Sequence, residues 1–222
     1  MQETFQEINK AVKVQIYPNN EQKLLFNKNI NHVRYIFNKV KQSCEYHYNI
    51  IQEQGIKPRN LVNRKFCNMI LSQLKKSNNF LYDSDSTSLQ AAYENYIQSM
   101  KNFFNHIAKY PKFKSKRSPI QSFKVKNVIN SVRIENNQLK IAKHGFVKVR
   151  GLRNITGKII STTITKIGNK WFASITYSKV IVKPLPKTNK SVGVDVGVKD
   201  LAILSTGEKD NQYSTVCNMK KE

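Results

Sequence analysis

The chain has 222 residues and a formal charge of +24, from 38 lysines and arginines against 14 aspartates and glutamates. That length suits one large or two small domains with a real core. Three cysteines scattered singly (Cys44, Cys67, Cys217) exclude a disulfide framework, and no apolar run reaches transmembrane length.

The first predicted element is a strand over 11–17, AVKVQIY, which alternates apolar and polar residues and is broken by Pro18. Asn19 and Gln22 have the spacing of a capping box that opens a long helix. Phe26, Ile30, Val33, Phe37, Val40, Cys44 and Ile51 form its apolar stripe, and Gly55 ends it. A second helix is expected from Pro58 to Lys76, with Leu61, Val62, Phe66, Met69, Ile70 and Leu74 inward. The cluster Asp83-Ser84-Asp85-Ser86 caps a third helix, whose inner face carries Leu89, Ala92, Tyr93, Tyr96, Met100, Phe103 and Ile107. Three such helices pack as a small bundle. His32 and His47 read as helix-surface residues, and Tyr46, Tyr48 and Tyr110 fall off the stripes.

Residues 109–118, KYPKFKSKRS, change character. Lys109, Lys112, Lys114, Lys116 and Arg117 alternate with Tyr110 and Phe113, and Pro111 denies a helix. Extended chain of this kind offers charge to phosphates and flat rings to bases. From Asn95 to Val194 there are 21 lysines or arginines and one acid, Glu135. Such a field binds polyanions, nucleic acid foremost. A membrane surface fits less well, because the bases are interleaved with strand-like sequence.

From Gln121 to Ser178 the period becomes that of strands: SFKV, SVRI, QLKIA, FVKVR, and then two long runs joined at Gly168-Asn169 as a hairpin. A small barrel or sandwich is expected, with strand 11–17 joining its sheet and Lys124, Lys126, Lys140, Lys148 and Arg150 outward. Residues 184–190 read as a linker. In VGVDVGVKDLAILSTG, 192–207, alternate valines line one face of a strand, and the other carries Asp195 between two glycines. A carboxylate there suits a divalent cation with phosphate approaching over bare backbone. An edge strand with its Asp in solvent has the same local pattern.

Five stretches in this order, PNNEQKLLFN, MKNFFN, YPKFKSKRSPIQSF, NKWFASITY and VGVDVGVKDLAILSTG, resemble the TnpB (OrfB) proteins of bacterial insertion sequences, relatives of the type V CRISPR effectors. The resemblance covers about residues 11 to 207. It implies an RNA-guided DNA endonuclease of α+β class: a wedge-like barrel domain (1–18 and 109–184), an inserted helical recognition domain (19–108), a linker (185–190) and the incomplete start of an RNase H-like (RuvC) sheet (191–222). Guide RNA and target DNA are the implied partners. Lys109, Tyr110, Lys112, Phe113, Lys114, Lys116, Arg117, Lys124, Lys126, Lys148 and Arg150 are the candidate nucleic-acid contacts.

The resemblance also makes Asp195 the first of three catalytic acids that bind Mg²⁺. Only Asp200, Glu208, Asp210 and Glu222 follow it. One carboxylate holds Mg²⁺ weakly, and a two-ion centre needs acids from separate elements. No CxxC pair or histidine cluster is present, so no zinc is expected. The expectation is therefore the N-terminal part of a TnpB-like protein, truncated after its first RuvC motif. It would bind nucleic acid without cutting alone and be open to a complementing C-terminal fragment. A non-catalytic RNA- or DNA-binding regulator of a mobile element is the alternative. Without a signal-peptide core or membrane segment, a cytoplasmic location is expected.

Overall fold

The computed structural model describes residues 6–55, 62–152, 157–182, 191–197, 200 and 202–210. By its internal contacts the chain divides into two compact units, Phe5–Val182 and Met1–Thr4 with Lys183–Glu222.

The larger unit opens with β1 (Gln6–Tyr17), longer at its N-terminal end than the alternation predicts, and stops at Pro18. Helix α1 (Asn20–Glu53) begins at the predicted capping box, in which Asn19 Oδ1 accepts from the Gln22 amide and Gln22 Oε1 accepts from the Asn19 amide. After Gln54 the chain turns at Gly55, whose φ of +73° is left-handed and favours glycine. Helix α2 (Arg64–Ser77) starts six residues after the expected Pro58, with Asn63 Oδ1 accepting from the Phe66 amide. Pro58 and Leu61 lie outside the described residues. On α2, Cys67, Ile70 and Leu71 are buried and Met69 is exposed, so the buried stripe is rotated by about one residue from the predicted one. A single 3-10 turn (Asn79–Asp83) precedes α3 (Ser86–Phe104), capped by Asp85. Ile107 is exposed because α3 ends before it and His106 takes a positive φ.

Six strands follow: β2 (Ile120–Lys126), β3 (Arg133–Glu135), β4 (Gln138–Ile141), β5 (Gly145–Arg150), β6 (Lys158–Ile167) and β7 (Lys170–Val182). With β1 they form one antiparallel sheet in the order β2-β6-β7-β1-β5-β4-β3. The strand expected at 11–17 thus joins a sheet otherwise made from the last part of the unit, and it sits in the middle of that sheet. In the β6–β7 hairpin Ile167 pairs with Lys170. Only the first turn residue, Gly168, has positive φ (+56°), as a type II′ turn requires.

The sheet curls into a half-barrel. Its apolar residues, among them Val14, Ile16, Phe123, Val125, Leu139, Val147, Ile164, Trp171 and Ile175, share one face and one hydrophobic cluster with the helices. Phe26 of α1, fully buried, marks the closure: its ring centroid lies 5.6 Å from Phe123 on β2, 5.3 Å from Trp171 on β7 and 5.0 Å from His144 in the β4–β5 turn. Gln22 Nε2 donates to the carbonyls of His144 and Phe146 at 3.1 and 2.8 Å, fixing that turn to the first turn of α1. His32, expected on the helix surface, is buried, with Nδ1 2.7 Å from Ser84 Oγ.

The smaller unit contributes β8 (Val194–Asp195), β9 (Ala202–Leu204) and β10 (Lys209–Asp210), antiparallel in the order β10-β9-β8. The turn between β9 and β10 passes through Gly207 at φ +91°.

Phe26→Ala should remove the ring common to three parts of the sheet. A loss of about 3–5 kcal/mol is expected in urea unfolding followed by circular dichroism. Burial holds the imidazoles of His144 and His32 below the ordinary histidine range. In the unfolded chain both take up protons below about pH 6.5, so their contribution to stability is complete above that pH and is lost as pH falls toward their folded values. The urea midpoint should therefore fall between pH 7.5 and 5.5, and His144→Phe, which keeps a ring in place, should flatten the slope.

Candidate nucleic-acid interface

Strand alternation sends every second side chain of the curled sheet to the face away from the core. The register aligns these residues across strands. Lys124 pairs with Thr163, Thr163 with Ser174, and Ser174 with Lys13. A second row runs Thr165, Phe172, Gln15, Arg150, and a third joins Tyr17, Lys148 and Gln138. Beyond them Arg133, Lys140 and Phe146 stand side by side. Among the described residues the outer face thus carries Lys13, Lys124, Arg133, Lys140, Lys148 and Arg150, and one acid, Glu135, which is bridged to Arg133. Aromatic rings lie among the cations. Lys13 Nζ is 4.9 Å from the centroid of Phe172, while Arg133 and Lys140 are 5.6 and 5.7 Å from that of Phe146. Cations beside exposed rings can bind phosphate and stack bases at once.

Lys124, Lys148 and Arg150 stand on this face as the alternation predicts. Lys126 does not, because β2 meets α3 at its end. There Lys126 Nζ bridges Glu94 at 2.6 Å, and Glu94 also bridges Arg64. These two cations hold the Glu94 carboxyl below the usual range against the opposing effect of its burial. Lys13, Tyr17, Phe146 and Phe172 are additional residues of the face. Their signal was the same period of two, since Val12, Val14 and Ile16 point inward and leave Lys13, Gln15 and Tyr17 outward.

In the 109–118 loop, Lys109, Lys112, Lys116 and Arg117 are exposed. The two rings of the loop are engaged by α1. Lys41, one turn before Glu45, is 3% exposed and ion-paired to that carboxylate. Its ammonium lies 4.7 Å from the centroid of Tyr110 and 4.4 Å from that of Phe113. Tyr110 Oη donates to Glu45 Oε1 at 2.9 Å, and its phenol is pushed up to about 12, first by burial and then by that hydrogen bond. Asn38 completes the attachment: its side-chain amide donates to the Lys114 carbonyl at 3.0 Å, and its oxygen accepts from the Lys114 amide at 2.8 Å. The alternating cations and rings therefore serve a further purpose. The rings anchor the loop to α1 and leave four cations in solvent.

Asp195 stands on β8, at the edge of its sheet, opposite Ile203, and Ile203 is opposite Lys209. Asp210 pairs with Ala202, one register position away and so on the other face. A Cβ at Gly197 would come within 3.2 Å of the Asp200 carbonyl, so this glycine is used by a close approach of the chain's own backbone. Val192, Val194 and Val196 are exposed. Among the described residues no three His, Cys, Asp or Glu side chains are grouped to hold a metal ion. The donor set there does not fit a pair of Mg²⁺ ions, because it supplies one carboxylate with a lysine two strands away in the same row.

Residues 7–50 match a family model described as a helix-turn-helix domain of the OrfB proteins of IS605. In this structure they form β1 and most of α1, a strand and one continuous helix. The chain is 32% identical over 128 residues to a protein of Escherichia coli K12 named "Putative RNA-guided DNA endonuclease InsQ", covering 58% of this chain and 31% of that one. It is 29% identical over 211 residues to a Streptomyces pristinaespiralis protein named "Putative RNA-guided DNA endonuclease", covering 92% and 50%. These matches make the chain similar to the TnpB/OrfB proteins. It spans half or less of the length of these TnpB/OrfB relatives. Among solved structures, a cryo-EM structure of a Cas12f1–sgRNA–target DNA complex aligns with 96% of this chain and 59% of that chain, at 15% identity and a TM-score of 0.33. Among the described residues no helix is long and apolar enough to cross a membrane.

Glu45→Gln leaves the buried Lys41 ammonium without its counter-charge, whereas Lys41→Met removes the charge and keeps most of the packing. The first should cost more, about 1–2 kcal/mol given the part-exposed carboxylate. It should also speed tryptic cleavage within 109–117, followed by mass spectrometry.

Proposed function

We propose that this chain is the nucleic-acid-gripping part of a TnpB-like RNA-guided DNA endonuclease, holding guide RNA and target DNA against the outer face of the curled sheet and the 109–118 loop. The observation that carries this is the outer face itself: among the described residues, six cations aligned by strand register, with rings between them and one acid, Glu135, already bridged. Backbone-directed cations supply sequence-independent affinity, and the rings supply stacking that tolerates any base. In this reading α1–α3 form the inserted recognition domain, and β8–β10 are the opening strands of an RNase H-like sheet.

On this reading Asp195 is the first acid of a Mg²⁺ centre, and the remaining carboxylates come from a complementing C-terminal segment. What the described residues supply by themselves is binding, which supports equally a role as a non-catalytic regulator that occupies the RNA or DNA of a mobile element.

Affinity for a structured RNA should fall steeply with salt. Alanine at Lys13, Lys124, Lys148 or Arg150 should weaken binding alike across sequences and flatten the log–log salt slope by about one for each phosphate no longer neutralised. Fluorescence anisotropy between 50 and 300 mM salt measures both, and a salt-independent affinity would sink the proposal. In a Mg²⁺-dependent assay on guided and unguided DNA the chain alone should leave DNA intact. Turnover abolished by Asp195→Ala would overturn this and establish a complete centre. Sequencing the RNA that co-purifies with the chain separates guide binding from nonspecific binding.

A further inference from the structure

We propose that a cleft between α1, the 109–118 loop and the start of β2 is a phosphate-binding site, distinct from the outer face of the sheet. The cavity measures about 370 Å³ and is lined by Arg34 and Ile30 of α1, Phe113 and Lys114 of the loop, and Gln121 and Ser122 of β2, among others, with no acid in its wall. Among the described residues two cations of this wall have no ion-pair partner. Arg34 Nη2 donates to Asn31 Oδ1 at 2.9 Å, while its Nη1 is sealed from solvent with no hydrogen-bond partner. Lys114 is fixed through its backbone to Asn38, and its ammonium rests 4.3 Å from the centroid of buried Phe37. Lys114 keeps solvent access as a residue, but the protein atoms crowded around its ammonium push its pKa below the ordinary lysine value.

A buried guanidinium nitrogen without an acceptor is costly, and a crowded ammonium without a counter-charge gains from an anion that joins the two. A planar fork beside a point charge on one concave wall matches the several oxygens of a phosphate group. Buried Ile30 and part-exposed Phe113 flank the two cations in the wall. The site deepens the nucleic-acid reading and rests on it only for the source of the phosphate, a polynucleotide backbone or a free phosphate or nucleotide.

Thermal unfolding of the full chain in increasing inorganic phosphate at constant ionic strength, with single-stranded oligonucleotide affinity measured in parallel, tests the site. Arg34→Gln removes the unpaired donor, and Ser122→Phe plugs the cavity without changing charge, so one variant remains informative should the other misfold. Phosphate stabilises proteins in general by exclusion from their surfaces, so the difference from the variants is what reads the site. The wild type should show a saturable rise in Tm that both variants lack, and both should bind the oligonucleotide roughly tenfold or more weakly, as expected when a charge-assisted hydrogen bond is removed. Lys124→Ala should leave the phosphate response intact. A phosphate response with unchanged oligonucleotide affinity in the variants supports the site and assigns it to free phosphate or nucleotide. A response without any oligonucleotide binding supports the site and overturns the nucleic-acid reading. Variants that respond to phosphate like the wild type overturn the site and leave that reading standing.

Discussion

The larger unit depends on one ring. Phe26, in the second turn of α1, touches β2 at one edge of the sheet, β7 near its middle and the β4–β5 turn beyond β1. Strands that far apart in the order can meet a single side chain only if the sheet curls around it. The long helix is in turn oriented by its first turn, where Gln22 both closes the capping box and ties down the β4–β5 turn. Helix start and sheet closure are therefore one event, and the apolar groups they bring together share one core.

Closing the sheet around α1 separates two chemistries that alternate along every strand. The apolar half turns inward and satisfies the hydrophobic requirement. The other half turns outward, and because this part of the chain is almost free of acids, the outward half is a continuous field of lysine and arginine relieved mainly by rings. Acids that occur nearby are spent locally: Glu94 on Arg64 and Lys126, Glu45 on Lys41, Glu135 on Arg133. Among the described residues the other cations of this outer face have no ion-pair partner, a state that favours polyanionic partners.

The smaller unit follows a different logic. Its strands are two or three residues long, Val192, Val194 and Val196 are exposed, and Asp195, its candidate metal ligand among the described residues, stands on an edge. Hydrogen bonds between Gly193 and Ser205 and between Leu204 and Glu208 hold the three strands together. A ladder of this size buries little surface, in contrast to the larger unit, where the same kind of alternating valine sequence is locked by a helix.

Local pattern was sufficient for much of the architecture. The capping box at Asn19, the stripe from Phe26 to Cys44, the Asp85 cap, the hairpin at Gly168 and the outward placement of Lys124, Lys148 and Arg150 all follow from backbone hydrogen bonding and side-chain period, which a short window of residues contains. Tertiary structure alone decided what depends on neighbours distant in the chain. His32 is buried because the segment around Ser84 folds over it, and Lys126 leaves the outer face because Glu94 of α3 meets the end of β2. Tyr110 and Phe113 anchor their loop because Lys41, a cation on a helix that looks solvated in sequence, lies beneath them. The unpaired Arg34 nitrogen likewise has no sequence signature, since desolvation is set by the three elements that enclose it and not by the residues beside it in the chain.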